Sequence, residues 1–439
     1  MKEITGGVCA PKGFFAGGIR CGIKPSSQKK DLALIYSDKL CNTAAMYTEN
    51  RVKAASVLVS MENTANGKLR AIIANSGNAN ACTGIDGMEA AKRMANLAAD
   101  VLQINENEVA VASTGVIGVP LPIEKIEENI SALKTSLRSD EQGHQSALEA
   151  IMTTDTRKKE IALEIEIDGK PVRIGAMAKG SGMIHPNMSA SAHQNAKHAT
   201  AAHATMLAFV TTDAAIDRSA LDNALYSAVK RSFNRLSVDG DTSTNDMIVI
   251  MANGEAGNKP IENDTGTQET RIKTDSQILN KKSDFEVFCE ALEHVCIALT
   301  RVMARDGEGA TKLVTVTVEG AVNEENAEIL AKSVISSSLV KAACFGADAN
   351  WGRVLCAMGY AGADFNPEKA SVYFKSSEGE IQVCAEGKTF PFSEEKAKKI
   401  LSQEEIEIYI SLNEGNAGAT AWGCDLTYDY VKINGDYRS

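Results

Sequence analysis

Short apolar runs of strand length lie between long stretches of helical periodicity, and this intermixing constrains the fold most. Ala55-Ser-Val-Leu-Val-Ser60, Ala71-Ile-Ile-Ala74, Glu160-Ile-Ala-Leu-Glu-Ile-Glu-Ile167 and Leu313-Val-Thr-Val-Thr-Val318 read as strands, the third with the alternation of a half-exposed one. Helical spacing of apolar residues marks 88–102, 123–137, 219–233, 285–305 and 325–336. Elements mixed in this way predict a layered α+β architecture. A chain of 439 residues can bury a large core and suggests two or more domains.

The formal net charge is -11, with no basic stripe interleaved with aromatics, so a nucleic-acid backbone is a poor partner. No apolar run approaches the roughly 20 residues that span a bilayer. Met1-Lys-Glu-Ile-Thr-Gly-Gly lacks the apolar centre of a secretion signal. The expectation is a soluble cytoplasmic enzyme. The ten cysteines show no two-residue spacing and read as reduced, buried thiols. Neither a phosphate loop nor a dinucleotide glycine motif is present.

Three stretches carry candidate chemistry. Thr205 precedes Met206-Leu-Ala-Phe-Val210, which reads as a buried strand, so its hydroxyl would be held on a rigid element. Cleavage of the Ala204–Thr205 bond would free an α-amine beside that hydroxyl, and one residue would then supply nucleophile and base. Ser113-Thr-Gly-Val-Ile-Gly118 reads as a small-residue turn after the apolar Val109-Ala-Val-Ala112. The Thr114 hydroxyl and the Gly115 amide are adjacent donors, as an oxyanion hole requires. Asp306-Gly-Glu-Gly-Ala-Thr-Lys312 reads as a turn presenting Glu308, a carboxylate able to hold a substrate ammonium. Taken singly, each is also an ordinary strand start or turn.

Two segments read as solvated insertions: 254–283, rich in polar residues, and 189–203, a mobile loop without a large apolar residue. Metal sites are not expected. Ser237-Val-Asp-Gly-Asp-Thr-Ser-Thr-Asn-Asp246 departs from a calcium loop at Thr244 and Ile250 and reads as a tight polar loop. His193, His198 and His203 stand five residues apart, unlike a helical metal pair.

Longer motifs run nearly end to end: Thr5-Gly-Gly-Val-Cys-Ala-Pro-Lys-Gly-Phe14, Ile73-Ala-Asn-Ser-Gly-Asn-Ala-Asn-Ala-Cys-Thr83, Lys179-Gly-Ser-Gly-Met-Ile-His-Pro-Asn-Met188 and Ala204-Thr-Met-Leu-Ala-Phe-Val-Thr-Thr-Asp213. Asp306 to Lys312, Gly346-Ala-Asp-Ala-Asn-Trp-Gly-Arg353 and Cys424-Asp-Leu-Thr-Tyr-Asp-Tyr430 continue the series to Ser439. In this order they resemble the glutamate N-acetyltransferase family of arginine biosynthesis, also called ornithine acetyltransferases. The resemblance implies the α+β fold of the N-terminal-nucleophile aminopeptidase superfamily. It also implies a precursor that cuts itself into residues 1–204 and 205–439, which stay together as a dimer of such pairs. The implied reaction moves acetyl from N-acetylornithine to glutamate by a ping-pong route without a cofactor. Some members also take acetyl-CoA, a point the motifs leave open.

Carried over by motif, Thr205 is the nucleophile and Thr114 with Gly115 the oxyanion pair. Substrate contacts fall on Thr153, Lys179, Thr205, Glu308, Asn434 and Ser439. Lys179 beside Thr205 would also favour the neutral α-amine. The chain departs from the family by placing 189–203 between two motifs that otherwise adjoin. The insert offers a competing Ala199–Thr200 bond, but the apolar strand after Thr205 favours Thr205. Two alternatives stay open: a hydrolase of related architecture, such as an aminopeptidase or amidase, and an uncleaved, inactive binding protein.

Overall fold

The computed structural model describes residues 1–24, 27–190, 205–263 and 282–435. Ala204, Thr200, the three insert histidines and Ser439 lie outside the described residues, as do 191–203 and 264–281 of the two insertions.

The described residues form two sheets with helices packed on them, an α+β fold. The first sheet holds β1 (Lys2–Ile4), β2 (Phe14–Ile19), β3 (Leu32–Thr48), β4 (Lys68–Asn78), β5 (Val109–Val116), β6 (Lys159–Ile167), β7 (Lys170–Lys179), β8 (Met188–Ala190), β9 (Leu207–Thr212) and β11 (Met247–Ala252). The second holds β10 (Leu236–Ser237), β12 (Leu313–Ala321), β13 (Ser371–Ser376), β14 (Gly379–Ala385), β15 (Lys388–Thr389), β16 (Glu405–Ser411) and β17 (Ala417–Cys424). The main path of the first sheet runs β1-β6-β7-β9-β11-β3-β4-β5, and β2 and β8 also pair with β3.

Strand β9 lies at the centre of this sheet, antiparallel to β7 and parallel to β11. All six of its residues are buried. Its alternation sends Ala208 and Val210 into one apolar cluster and Leu207 and Phe209 into another. The first cluster is closed by the helices Arg218–Lys230 and Asp284–Arg305. The second is closed by Leu148 and Ile151 of the helix Glu141–Ile151. A strand covered on both faces reads as a continuous apolar run, which is how Met206 to Val210 reads. Burying Phe209 contributes roughly 1.5–3 kcal/mol, so the start of β9 is firmly held.

Several expectations need correction. Ala55 to Ser60 is not a strand but part of the helix Ala55–Thr64. Short apolar runs suit either period, and here packing decides: Ser60 Oγ bonds both the amide and the carbonyl of Val111. Ser113, Thr114 and Gly115 do not form a turn; they continue β5, in parallel pairing with β4. Cys82 and Cys356 are exposed and Cys289 is half-buried, rather than buried. The first part of 254–283 is anchored: Ile261 is buried and bridges to Ile216, and Asn258 is buried too. Ser189 and Ala190, the start of the other insertion, belong to β8 and pair with Tyr47 and Met46. Among the described residues no helix is long and apolar enough to cross a membrane.

Candidate active site

Thr205 stands two residues before β9 and is 1% exposed. Its Oγ1 lies 3.1 Å from Ser243 Oγ. The Ser243 hydroxyl also accepts from the Asn245 amide at 3.1 Å and lies beside the Asp246 carboxyl. The next residue, Met206, donates its amide to Asp246 Oδ1 at 2.8 Å. Asn245 Nδ2 donates to the carbonyls of Ala79 and Ser113, locking the 243–246 turn to the edge that carries Thr114.

Lys179, the last residue of β7, pairs with Leu207 across the sheet. Its ammonium is buried and donates to the Thr205 carbonyl at 2.9 Å and to Thr114 Oγ1 at 3.3 Å. A hydroxyl that accepts from an ammonium keeps its own hydrogen to donate elsewhere. Burial pushes Lys179 below the usual lysine range, against the pull of Asp155.

Gly115 follows with φ +134°, and a Cβ there would lie 2.3 Å from the carbonyl carbon of Gly77. The two glycines let β4 and β5 approach closely where the register shifts, from Gly77↔Gly115 to Asn78.

The remaining substrate candidates gather around one buried ionic network. The Thr153 amide donates to Asp155 Oδ2 at 2.9 Å, and Asp155 Oδ1 accepts from Gly180 N at 2.7 Å and from Lys159 Nζ at 2.7 Å. Lys159 also reaches Asp306 Oδ2 at 2.5 Å. Burial would raise Asp155, but the charges of Lys179 and Lys159 outweigh it and hold the carboxyl well below the usual range. Asp306 opens the turn that carries Glu308. Glu308 donates its amide to Ser181 O at 2.9 Å, and its Oε2 accepts from Asn434 Nδ2 at 2.9 Å. Glu308 Oε1 is buried without a hydrogen-bond partner among the described residues, a free acceptor beside Gly182.

The structure thus brings Thr114, Gly115, Lys179 and Thr205 together and joins Thr153, Glu308 and Asn434 to them through Asp155, Asp306 and the 180–182 stretch. Sequence reasoning missed Ser243, Asp246 and the Lys159–Asp306 pair. The 237–246 stretch drew attention only as a failed calcium loop. Its carboxylates bond to the chain itself: Asp239 takes the amides of Met183 and Ile184 at 2.6 and 2.9 Å.

Chemically, this arrangement offers the Thr205 and Thr114 hydroxyls, a close glycine-lined strand approach, a desolvated cation and an acceptor carboxylate. That set suits acyl transfer between amine-bearing substrates.

Relatives of known family align with this chain over its full length. The ArgJ family profile matches residues 15–439. The arginine biosynthesis bifunctional protein ArgJ of Caldanaerobacter subterraneus subsp. tengcongensis is 49% identical over 439 residues, covering 100% of both chains. The protein of the same name from Symbiobacterium thermophilum is 48% identical over 440 residues, again covering 100% of both. A crystal structure of the Bacillus halodurans protein of that name aligns with 43% identity, 52% of this chain, 97% of the other and a TM-score of 0.45.

Proposed function

The chain belongs to the ArgJ family, and on that premise we propose that it moves acetyl from N-acetylornithine to glutamate through an acetyl ester of Thr205. It is an arginine-biosynthesis acyltransferase. The convergence of Thr205, Thr114 and Lys179 at the mouth of a central buried strand supports this reading best.

Maturation comes first. Thr205 Oγ1 attacks the Ala204 carbonyl, the acyl group passes from nitrogen to oxygen, and water hydrolyses the ester. The products are residues 1–204 and residues 205–439, the second beginning with a free α-amine. The pieces stay together because the cut leaves the first sheet intact: β7 pairs with β9 and β3 with β11 across the two fragments. We extend the reading to a dimer of such pairs.

In transfer, the α-amine takes the Thr205 hydroxyl proton as the oxygen attacks the acetyl carbonyl of N-acetylornithine. An α-amine titrates near about 8, within reach of neutral pH. Thr114 and Gly115 stabilise the oxyanion. The C–N bond breaks, the leaving amine takes the proton, and ornithine departs. The glutamate amine then attacks the acetyl ester, releases N-acetylglutamate and restores the hydroxyl. Lys179 anchors a substrate carboxylate, and Glu308, steadied by Asn434, holds the side-chain ammonium of N-acetylornithine. Thr153 and Ser439 complete the contacts. We extend the same reading to acetyl-CoA as a second donor to Thr205.

The test is to mix the purified enzyme with N-acetylornithine and glutamate. Equal amounts of ornithine and N-acetylglutamate, with an acetyl mass on the fragment that starts at Thr205, support the reading. Release of free acetate with no acetylated glutamate would place the chain among the hydrolases instead.

A further inference from the structure

We propose that Asp246 holds the α-amine that the cut releases at Thr205, orienting the base of the transfer reaction and stabilising its protonated form. The inference rests on the self-processing reading above and adds a positioning residue to it.

Four observations carry it. Asp246 Oδ1 accepts the Met206 amide at 2.8 Å, so the carboxyl sits one peptide unit from the Thr205 nitrogen. The backbone fixes it there, since Thr48 N donates to Asp246 O at 2.9 Å and Met247 N to Met206 O at 3.1 Å. Asp246 is 0% exposed, and its Oδ2 has no hydrogen-bond partner among the described residues of the uncut chain. The same turn places Ser243 Oγ against Thr205 Oγ1. A buried carboxyl oxygen without a donor is unfavourable, and native structures seldom keep one without a use. Cutting the chain supplies the missing donor. The Thr205 nitrogen changes from an amide with one N–H into an ammonium with three and a positive charge.

The electrostatics agree. Burial pushes Asp246 up to about 7 in the uncut chain, outweighing the amides of Met206 and Ser243, the Lys179 charge and the Ser243 hydroxyl, and an adjacent ammonium would relieve that penalty. Lys179 from β7 and Lys332 from the helix Glu324–Ser336 act on Asp246 from opposite elements. Both ammonium groups bond carbonyls instead, Lys179 that of Thr205 and Lys332 that of Pro186 at 2.9 Å. The amine would therefore stand between a carboxylate that favours its charge and the Lys179 cation that opposes it.

The experiment is the pH profile of acetyl transfer by the self-cut Asp246→Asn enzyme, read beside wild type. A carboxylate raises the pKa of a neighbouring amine, so its removal makes the neutral base available at lower pH. The acidic limb of kcat should move down by about one pH unit. At the plateau kcat should fall at least about tenfold, with KM for either substrate unchanged. An unmoved acidic limb overturns the proposal, whether kcat falls or not. Should Asp246→Asn fail to fold or to cut, the structure of the self-cut wild type decides. The α-amine nitrogen is expected within about 3 Å of an Asp246 carboxyl oxygen, and an amine turned away from Asp246 overturns the assignment. A cut, active Asp246→Asn with the wild-type profile removes only the role of Asp246. Full activity of uncut wild type would remove the processing reading itself.

Discussion

The Lys179 ammonium donates to the Thr205 carbonyl at 2.9 Å, and the same nitrogen reaches Thr114 Oγ1 at 3.3 Å. One desolvated cation therefore ties the residue before β9 to the edge of β5. Replacing it by Met keeps the bulk and removes the charge and donors. Asp155 keeps Lys159 and two backbone amides, so the fold should survive. Lys179→Met is expected to lower kcat/KM by about 10²-fold or more, with unchanged circular dichroism. An unchanged rate would remove Lys179 from the site.

Thr205→Ala deletes the hydroxyl assigned to both cutting and transfer. A denaturing gel should show a single full-length chain, and transfer should be undetectable. Thr205→Ser keeps an oxygen at the same place and should still cut. If Thr205→Ala splits between Ala204 and Thr205, the attacking group has been misassigned.

The five helices of thirteen or more residues and the strands β4, β6, β9 and β12 were legible because their apolar periods were long or strongly buried, while most other strands were not. The helix Ala55–Thr64 was not, since six apolar and small residues satisfy either period until the partner strand is known. Thr205, Lys179 and Glu308 stood out as parts of short distinctive motifs. Asp246 and Ser243 did not, because their meaning depends on pairing. Only the parallel register of β9 with β11, Leu207 opposite Met247, brings the 243–246 turn against Thr205. Likewise Lys159 and Asp306 are 147 positions apart, and no local pattern announces the bond between them.

Gly115→Ala should be costly out of proportion to its size. Its Cβ would meet backbone atoms of Gly77 and Asn78 at 2.3 and 2.5 Å, at a φ of +134°. Backbone atoms in a paired strand cannot step aside as a flexible side chain can. We expect a loss of about 2–4 kcal/mol in urea unfolding, together with loss of transfer. A change below about 0.5 kcal/mol would show that the edge relaxes.

The Asp155 network predicts acid sensitivity with a definite sign. Lys179 and Lys159 outweigh burial and hold the folded carboxyl below the roughly 3.9 of an unfolded aspartate. Its ionic contribution is therefore full at neutral pH and is lost as pH falls through about 4 and below. The stability gap between wild type and Asp155→Asn should shrink between about pH 6 and about pH 3. A gap independent of pH would mean that Asp155 carries no stabilising charge.

The most direct measurement is N-terminal sequencing and intact mass of the active, purified protein. Two chains are predicted, one of them beginning Thr-Met-Leu-Ala-Phe at Thr205. A fragment beginning Thr-Ala-Ala-His-Ala would move the nucleophile to Thr200, and full activity in one unbroken chain would contradict the account at its root.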